Sequence, residues 1–364
     1  MFRFLYKTIL KPIFFLFPPE FTHDMILFVG NTLGKTELTR DIVGKFSYQT
    51  KVLTQEVKGL KFINPVGLAA GFDKDAKLIN ILPKVGFAYE EIGSITLNEC
   101  KGNKKPRLWR LKKSKSLVVN YGLKNAGVEK EIVKIKKYKV QKDFILGISV
   151  AKTNSKDTVD ITRAIDDYVG SLKRLEEEKI GSYYTINISC PNAFGGEPFT
   201  TPKRLELLLK EISKLNIEKP VFIKMPINLP WSDFDNLLKI VIKHNMTGVV
   251  IGNLNKDKTG IKDKMTKKMV GGISGKHTEK LCNELIEKTY RKYTNKLVII
   301  GVGGIFSAKD AYEKIKKGAT LVQLITGMIF EGPQLIGEIN KGLEQLLIKD
   351  GYKNIKEAVG KNIK

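Results

Sequence analysis

The sequence predicts an α/β protein, a (β/α)8 or TIM barrel with a short N-terminal helical extension, on three observations. From about residue 60 onward, eight short runs rich in valine, isoleucine and leucine recur. Amphipathic segments of helical length separate most of them, and the runs are continuously apolar, as parallel strands covered on both faces require. Eight such units favour a closed barrel over an open doubly wound sheet. At 364 residues and 42% hydrophobic content the chain can bury a large core. It divides into an extension over residues 1–45 and a barrel over residues 46–364.

The extension comes first. MFRFLYKTILKPIFFLFPP is rich in large apolar side chains, but Lys7, Lys11 and Pro12 interrupt it. No uninterrupted stretch approaches the roughly 20 residues of a spanning helix. Phe17, Pro18, Pro19 and Glu20 follow where a signal peptide would need small residues at a cleavage site. Two short helices are predicted, broken at Pro18 and Pro19, the second starting near Thr22 with Phe21, Met25, Phe28 and Val29 at helical spacing. Such a pair either lies in a membrane interface or packs on the barrel as a cap, and the periodicity fits both.

The predicted strands are VGLAAG (66–71), YEEIGSIT (89–96), ILGISVAK (145–152), YTINISC (184–190), VFIKMP (221–226), GVVIGN (248–253), LVIIGVGGI (297–305) and LVQLITG (321–327). Helical patterns span residues 76–85, 160–178, 203–215, 231–244, 278–292 and 308–317. Residues 98–143 are too long for one crossover, so an inserted loop or extra strands are expected there beside a helix over about 126–137.

In this fold the chemistry sits at the C-terminal ends of the strands. Those ends carry Gly71 to Lys74, Gly93-Ser94, Lys152, Asn187 to Asn192, Lys224, Gly252-Asn253, Gly303-Gly304 and Thr326-Gly327. Glycines after the seventh and eighth strands, with Gly271 to Gly275 before them, suit a phosphate held by backbone N–H groups, although tight turns also use such glycines. Lys224 inside VFIKMP is an ammonium in a barrel mouth, which calls for an anionic ligand. Lys74 reads the same way, or as an ion pair with Asp73 or Asp75.

Cys190 ends the fourth run among Asn187, Ser189 and Asn192, polar groups that a core would not tolerate without a ligand. A thiol there can act as proton acceptor or nucleophile. The other two cysteines, Cys100 and Cys282, read as structural, and three distant cysteines suggest neither disulfides nor zinc. A reducing compartment is the default reading. His23, His244 and His277 read as cap or surface residues, and no metal-ligand spacing is present. The net charge of +25 is spread over the chain as scattered lysines, which favours a solvated surface over a dedicated nucleic-acid face.

The motifs NPVGLAAGFDKD (64–75), EIGSIT (91–96), KPRLWRL (105–111), NYGLKNAGV (120–128), INISCPN (186–192), GGISG (271–275), IIGVGGI (299–305) and LVQLITGMIFEGP (321–333) occur in order. Through them the chain resembles the dihydroorotate dehydrogenases from roughly residue 20 to 340. The resemblance implies an FMN enzyme of pyrimidine biosynthesis that oxidises dihydroorotate to orotate, with Cys190 as the base at C5. It implies substrate contacts from Lys74, Asn120, Tyr121, Gly122, Leu123, Asn187, Asn192 and Asn253. It implies flavin contacts from Ala70, Gly71, Lys74, Ser94, Ser149, Asn187, Lys224, Gly252, Gly275, Gly303, Gly304, Ile325 and Thr326, with Gly275, Gly304, Ile325 and Thr326 nearest the phosphate.

N-terminal helices mark the quinone-using, membrane-linked members, among which PPEFTHD resembles the opening of the second helix. Those members usually carry serine where this chain has Cys190, the habit of the soluble classes. The extension is given more weight, which implies a quinone acceptor and a peripheral place on the cytoplasmic face of the membrane, with no nucleic-acid partner and the oligomeric state left open. Other departures are the short NYGLKN loop, Ser149 in place of an asparagine, and Leu254 in place of a small hydroxyl residue. The alternatives are a soluble acceptor, fumarate or NAD; a tRNA dihydrouridine synthase, also an FMN barrel with a cysteine; and a non-enzymatic scaffold.

Overall fold

The computed structural model describes residues 2–363. Eight parallel strands close a barrel: β1 (Val66–Leu68), β2 (Tyr89–Ile95), β3 (Ile145–Val150), β4 (Tyr183–Asn187), β5 (Val221–Met225), β6 (Gly248–Ile251), β7 (Val298–Val302) and β8 (Leu321–Leu324). Each pairs with its neighbours in chain order and β8 returns to β1, with Val322 opposite Val66. Seven strands lie within the apolar runs, and β4 begins one residue before its run, at Tyr183.

The barrel interior is layered. At the bottom, Tyr89, Tyr183, Phe222, Val250 and Ile300 fill the bore, and a small hairpin (Gln55–Val57 with Leu60–Phe62) plugs it, Phe62 meeting Tyr89 edge-on at 5.2 Å. Two glycines make that layer possible. A Cβ on Gly67 would lie 2.3 Å from the Tyr89 ring, and one on Gly147 2.1 Å from that of Tyr183. Above it lies a buried polar layer, in which the Glu91 carboxylate accepts from Thr185 Oγ1 at 2.8 Å and Gln323 Nε2 at 3.2 Å. The mouth lies above this layer.

Outside the barrel, helices Ile161–Glu177, Pro202–Ser213, Trp231–Lys243, Glu279–Tyr293 and Ala308–Lys316 bury their apolar faces on the strands, and Leu335–Asp350 follows β8. Asp160 and Ser307 cap two of them by accepting from the N–H groups of Arg163 and Asp310. The helix expected over 76–85 shrinks to Leu82–Val85. Its apolar positions are buried, but the Asp73 carboxylate takes the N–H groups of Lys77 (2.9 Å) and Leu78 (2.6 Å), and Ala76 adopts φ +57°. That local competition holds residues 73–78 as a loop.

The long segment after β2 holds a hairpin, Leu108–Leu111 with Ser116–Val119, and a helix, Val128–Ile135. Gly272–Gly275 adds a third strand to the hairpin from the loop after β6. The extension forms contiguous helical segments Phe2–Leu5, Tyr6–Leu10 and Lys11–Phe14, then Pro19–Leu33 and a further helix, Glu37–Gly44, that the periodicity did not predict. The second helix begins at Pro19, three residues before the expected start, because proline is well suited to a first turn. Among the described residues no helix is long and apolar enough to cross a membrane. Phe4, Leu16 and Phe28 are nevertheless more than two-thirds exposed, at 72%, 83% and 71%.

Candidate active site

Three adjoining cavities open at the C-terminal ends of the strands and beside them. The central one collects most of the predicted residues. From the end of β1 come Ala70, Gly71 and Lys74; from β2, Ser94; from β4 and its loop, Asn187, Cys190 and Asn192. Lys224 enters from β5, Asn253 from β6, Ile325 and Thr326 from β8, and Tyr121, Gly122 and Leu123 from the loop after the hairpin.

The lysines face inward. Lys74 is 9% exposed and its Nζ stands 3.9 Å over the Tyr121 ring. Burial pushes it down to about 8 against the pull of Asp75 and Asp73. The ion-pair reading is set aside by geometry, because Asp73 is spent on backbone N–H groups and Asp75 pairs with Lys134 at 3.0 Å. Burial lowers Lys224 as well, opposed by Glu91 in the layer below and by the Cys190 thiol. Two buried ammonium groups share one mouth, which fits an anionic ligand.

Amides line the floor and rim. Asn187 Nδ2 donates to Ser94 Oγ at 2.9 Å, and its Oδ1 accepts from the Ser189 N–H at 3.2 Å. Asn253 Nδ2 donates to Ser189 O at 2.6 Å, and Asn192 Nδ2 to Val119 O at 2.9 Å. Each asparagine is therefore oriented by the protein before any ligand arrives. The Cys190 sulfur faces the same space. Burial pushes its thiol up to about 11, opposed by the Asn192 N–H and by the cations Lys224 and Lys152, while Glu197 adds to the rise.

Two predicted residues line neither this cavity nor the glycine-rich one beside it. Ser149 sits one layer back, its Oγ 2.8 Å from Ser94 Oγ, because β3 turns that side chain behind its neighbour. Asn120 is drawn aside by Asn103, whose Nδ2 donates to Asn120 Oδ1 at 2.9 Å and to Asn192 O at 3.0 Å.

Gly252, Gly275, Gly303 and Gly304 line the second cavity, which shares Ala70, Lys224, Asn253 and Thr326 with the first. Gly275, Gly303 and Gly304 adopt φ of +99°, +96° and +76°, and a Cβ on Gly303 would lie 2.3 Å from Thr278 Oγ1. Ser274 and Thr326 hydroxyls meet at 3.0 Å beside this cradle. Backbone N–H groups, two hydroxyls and side-chain-free turns suit a phosphate.

The third cavity lies between the extension and the barrel and is almost wholly apolar. Phe14, Phe15, Ile26, Phe72 and Met328 are among its walls. Its polar groups are few. Tyr6 OH donates to Ile329 O at 2.8 Å, and Arg110 donates to Phe17 O (2.7 Å), Phe14 O (3.2 Å) and Thr22 Oγ1 (2.9 Å). His23 corrects an expectation. It is no surface residue; it lines both the central and the apolar cavity, and its Nε2–H donates to Phe72 O at 2.9 Å. Burial and the Lys74 charge lower its pKa, so the ring is neutral at pH 7. The motif PPEFTHD contains it, but nothing in the sequence says that a helix from the extension will lean over the barrel mouth.

A barrel that joins a phosphate cradle to a cationic, amide-lined cavity with a thiol has the build of a cofactor-dependent barrel oxidoreductase. Residues 52–347 match the family profile of dihydroorotate dehydrogenase. Among similar proteins, the dihydroorotate dehydrogenase (quinone) of Crocosphaera subtropica is 36% identical over 94% of this chain and 93% of its own. The protein of the same name from Christiangramia forsetii is 36% identical over 93% of this chain and 98% of its own. The ligand-free dihydroorotate dehydrogenase structure from Eimeria tenella superposes with a TM-score of 0.83 at 25% identity, covering 95% of this chain and 99% of that one. The chain belongs to the dihydroorotate dehydrogenase family.

Proposed function

We propose that this protein oxidises dihydroorotate to orotate with FMN held across the first two cavities and a quinone as electron acceptor. The observation that carries the reading is the convergence of Cys190, Lys74, Lys224 and three pre-oriented asparagines on one cavity that runs into a phosphate cradle. The residues fit the cofactor. Gly275, Gly303, Gly304 and Thr326 would hold its phosphate, and Lys224 would lie against its ring. When bound, flavin supplies a two-electron carrier that accepts hydride from the substrate and passes electrons to the quinone.

The chain's own groups do the rest. Lys74 holds the substrate carboxylate, and Asn187, Asn192 and Asn253 hold the ring amides, with the backbone of residues 121–123 closing the rim. The Cys190 thiolate accepts the C5 proton and becomes the thiol as the hydride leaves C6, so the ring loses one proton and one hydride. Lys224 offsets negative charge gathering on the flavin side of the site. The apolar third cavity suits a quinone, whose carbonyls find the spare N–H groups of Arg110. The exposed phenylalanines and leucines of the extension suit a peripheral seat on the cytoplasmic face of the membrane.

The test is anaerobic. Purified protein should be yellow and bleach on addition of dihydroorotate, and a soluble quinone should restore the colour faster than fumarate or NAD. Bleaching by reduced tRNA substrates in place of dihydroorotate would defeat the reading.

A further inference from the structure

Lys152 is a further buried ammonium, bonded to the loop that carries the thiol, and the proposed chemistry has no use for it yet. It sits two residues past the end of β3 and is 3% exposed. Its Nζ donates to Phe194 O at 2.8 Å and lies 3.3 Å from Thr158 Oγ1, both neutral acceptors. Two residues on, Asn154 Oδ1 accepts the Phe194 N–H at 2.6 Å. Phe194 belongs to the loop that follows Cys190, so one strand-end turn grips that loop by both backbone groups of one residue. The nearby carboxylate, Asp167, accepts from the N–H groups of Thr153 (2.9 Å) and Leu97 (3.3 Å).

A buried cation whose contacts are neutral is costly unless an anion forms close by. We infer that Lys152 is a positioning residue for Cys190, fixing the loop that carries the thiol and supplying the positive charge against which the thiolate forms. The charged groups around the thiol are Glu197 on its own loop, Lys224 at the end of β5, and Lys152 at the end of β3. Glu197 is paired with Lys256, and Lys224 is engaged toward the cofactor side. The ammonium of Lys152 is the cation left to the base. Burial lowers the Lys152 pKa, and Asp167, Cys190 and Cys100 oppose that fall in turn.

This inference rests on Cys190 being the base, and the experiment separates the two. Flavin-loaded wild type, Lys152→Met, Lys152→Gln and Lys152→Arg are treated with iodoacetamide across pH, and Cys190 modification is read by peptide mass. The rate of flavin reduction by dihydroorotate is followed over the same range. Lys152→Met should move the Cys190 midpoint up by about one pH unit or more and slow reduction about tenfold below that midpoint, a one-unit shift being tenfold in thiolate. Lys152→Gln keeps a donor without the charge and should shift the midpoint similarly, and Lys152→Arg should restore it. Flavin content and orotate affinity should hold. An unchanged midpoint in Met and Gln variants, with reduction slowed equally at every pH, would overturn the electrostatic role and leave only a structural one. Should Lys152→Met lose its flavin, Lys152→Gln decides by the same midpoint. Wild-type reduction by Cys190→Ala would instead remove the base itself.

Discussion

The central and apolar cavities meet at His23 and are built on opposite plans. The central one is made by strand ends, each polar side chain tied in place by a neighbour: Asn187 by Ser94, Asn253 by Ser189, Asn192 by the hairpin. The apolar one is made where the extension docks on barrel segments far apart in sequence, and a handful of side chains hold the two together. Arg110 ties down the helix break at Phe14 and Phe17, and Glu331 gathers Arg3 (3.1 Å), Lys7 and Lys115 (3.4 Å). A preorganised site suits a rigid ionic substrate, which repays fixed dipoles. A greasy cleft between loosely tied elements suits a flexible apolar one, which needs room and little orientation.

The sharpest way to break this division of labour is Cys190→Ala. Reduction of the flavin by dihydroorotate should fall about 10²–10⁴-fold. Reoxidation by quinone of enzyme reduced with dithionite should keep its rate, and stopped-flow absorbance reads both. A fall in both halves would mean that the cavities are not separable.

The mirror experiment is Arg110→Ala. Losing charge-assisted hydrogen bonds worth about 1.5–3 kcal/mol should loosen the extension and raise the quinone KM about tenfold or more, with substrate-driven bleaching unchanged.

The pH response sharpens the contrast further. Reduction should speed up as pH rises and thiolate forms at Cys190, whose thiol is pushed up to about 11. Dihydroorotate affinity should move the other way, because Lys74, pushed down to about 8, loses its charge above that pH. By pH 9 the dissociation constant should be about tenfold weaker, as titration in the Cys190→Ala protein would show. Quinone affinity should stay flat over the same range.

The smallest effect lies outside both cavities and serves as a control. Glu90 is fully buried on β2 with both carboxylate oxygens unpartnered among the described residues, and burial, then Asp73, raises its pKa well above the ordinary value. A carboxyl neutral in the folded chain and ionised in the unfolded one contributes stability below about pH 4.3, the unfolded value, that is lost as pH rises. Glu90→Gln should remove that slope. Its Tm should exceed wild type by a margin that widens from pH 5 upward, with both half-reactions untouched.

These contrasts also explain what could be read from the sequence. The eight strands were legible because burial on both faces leaves continuous apolar runs. The central site was legible because the barrel dictates where strand ends go, so Asn187, Cys190 and Lys224 could be placed without coordinates. Side-chain competition was not: nothing in residues 76–85 says that Asp73 will claim two N–H groups, and nothing in Asn120 says that Asn103 will take it. The strand Gly272–Gly275 hid because half of it is glycine. The apolar cavity left no trace, since its walls are ordinary hydrophobic residues and only their docking makes a cavity. His23 was misjudged for the same reason.

The wall that His23, Phe72, Leu117 and Ile329 share between the two cavities has a kinetic consequence. With dihydroorotate and quinone on either side as proposed, the reactants never need to meet, and turnover should follow a two-stroke pattern in which charge crosses and molecules do not. A blocker shaped for the greasy side would let one stroke run, leave the chromophore bleached, and be immune to displacement by any excess of dihydroorotate.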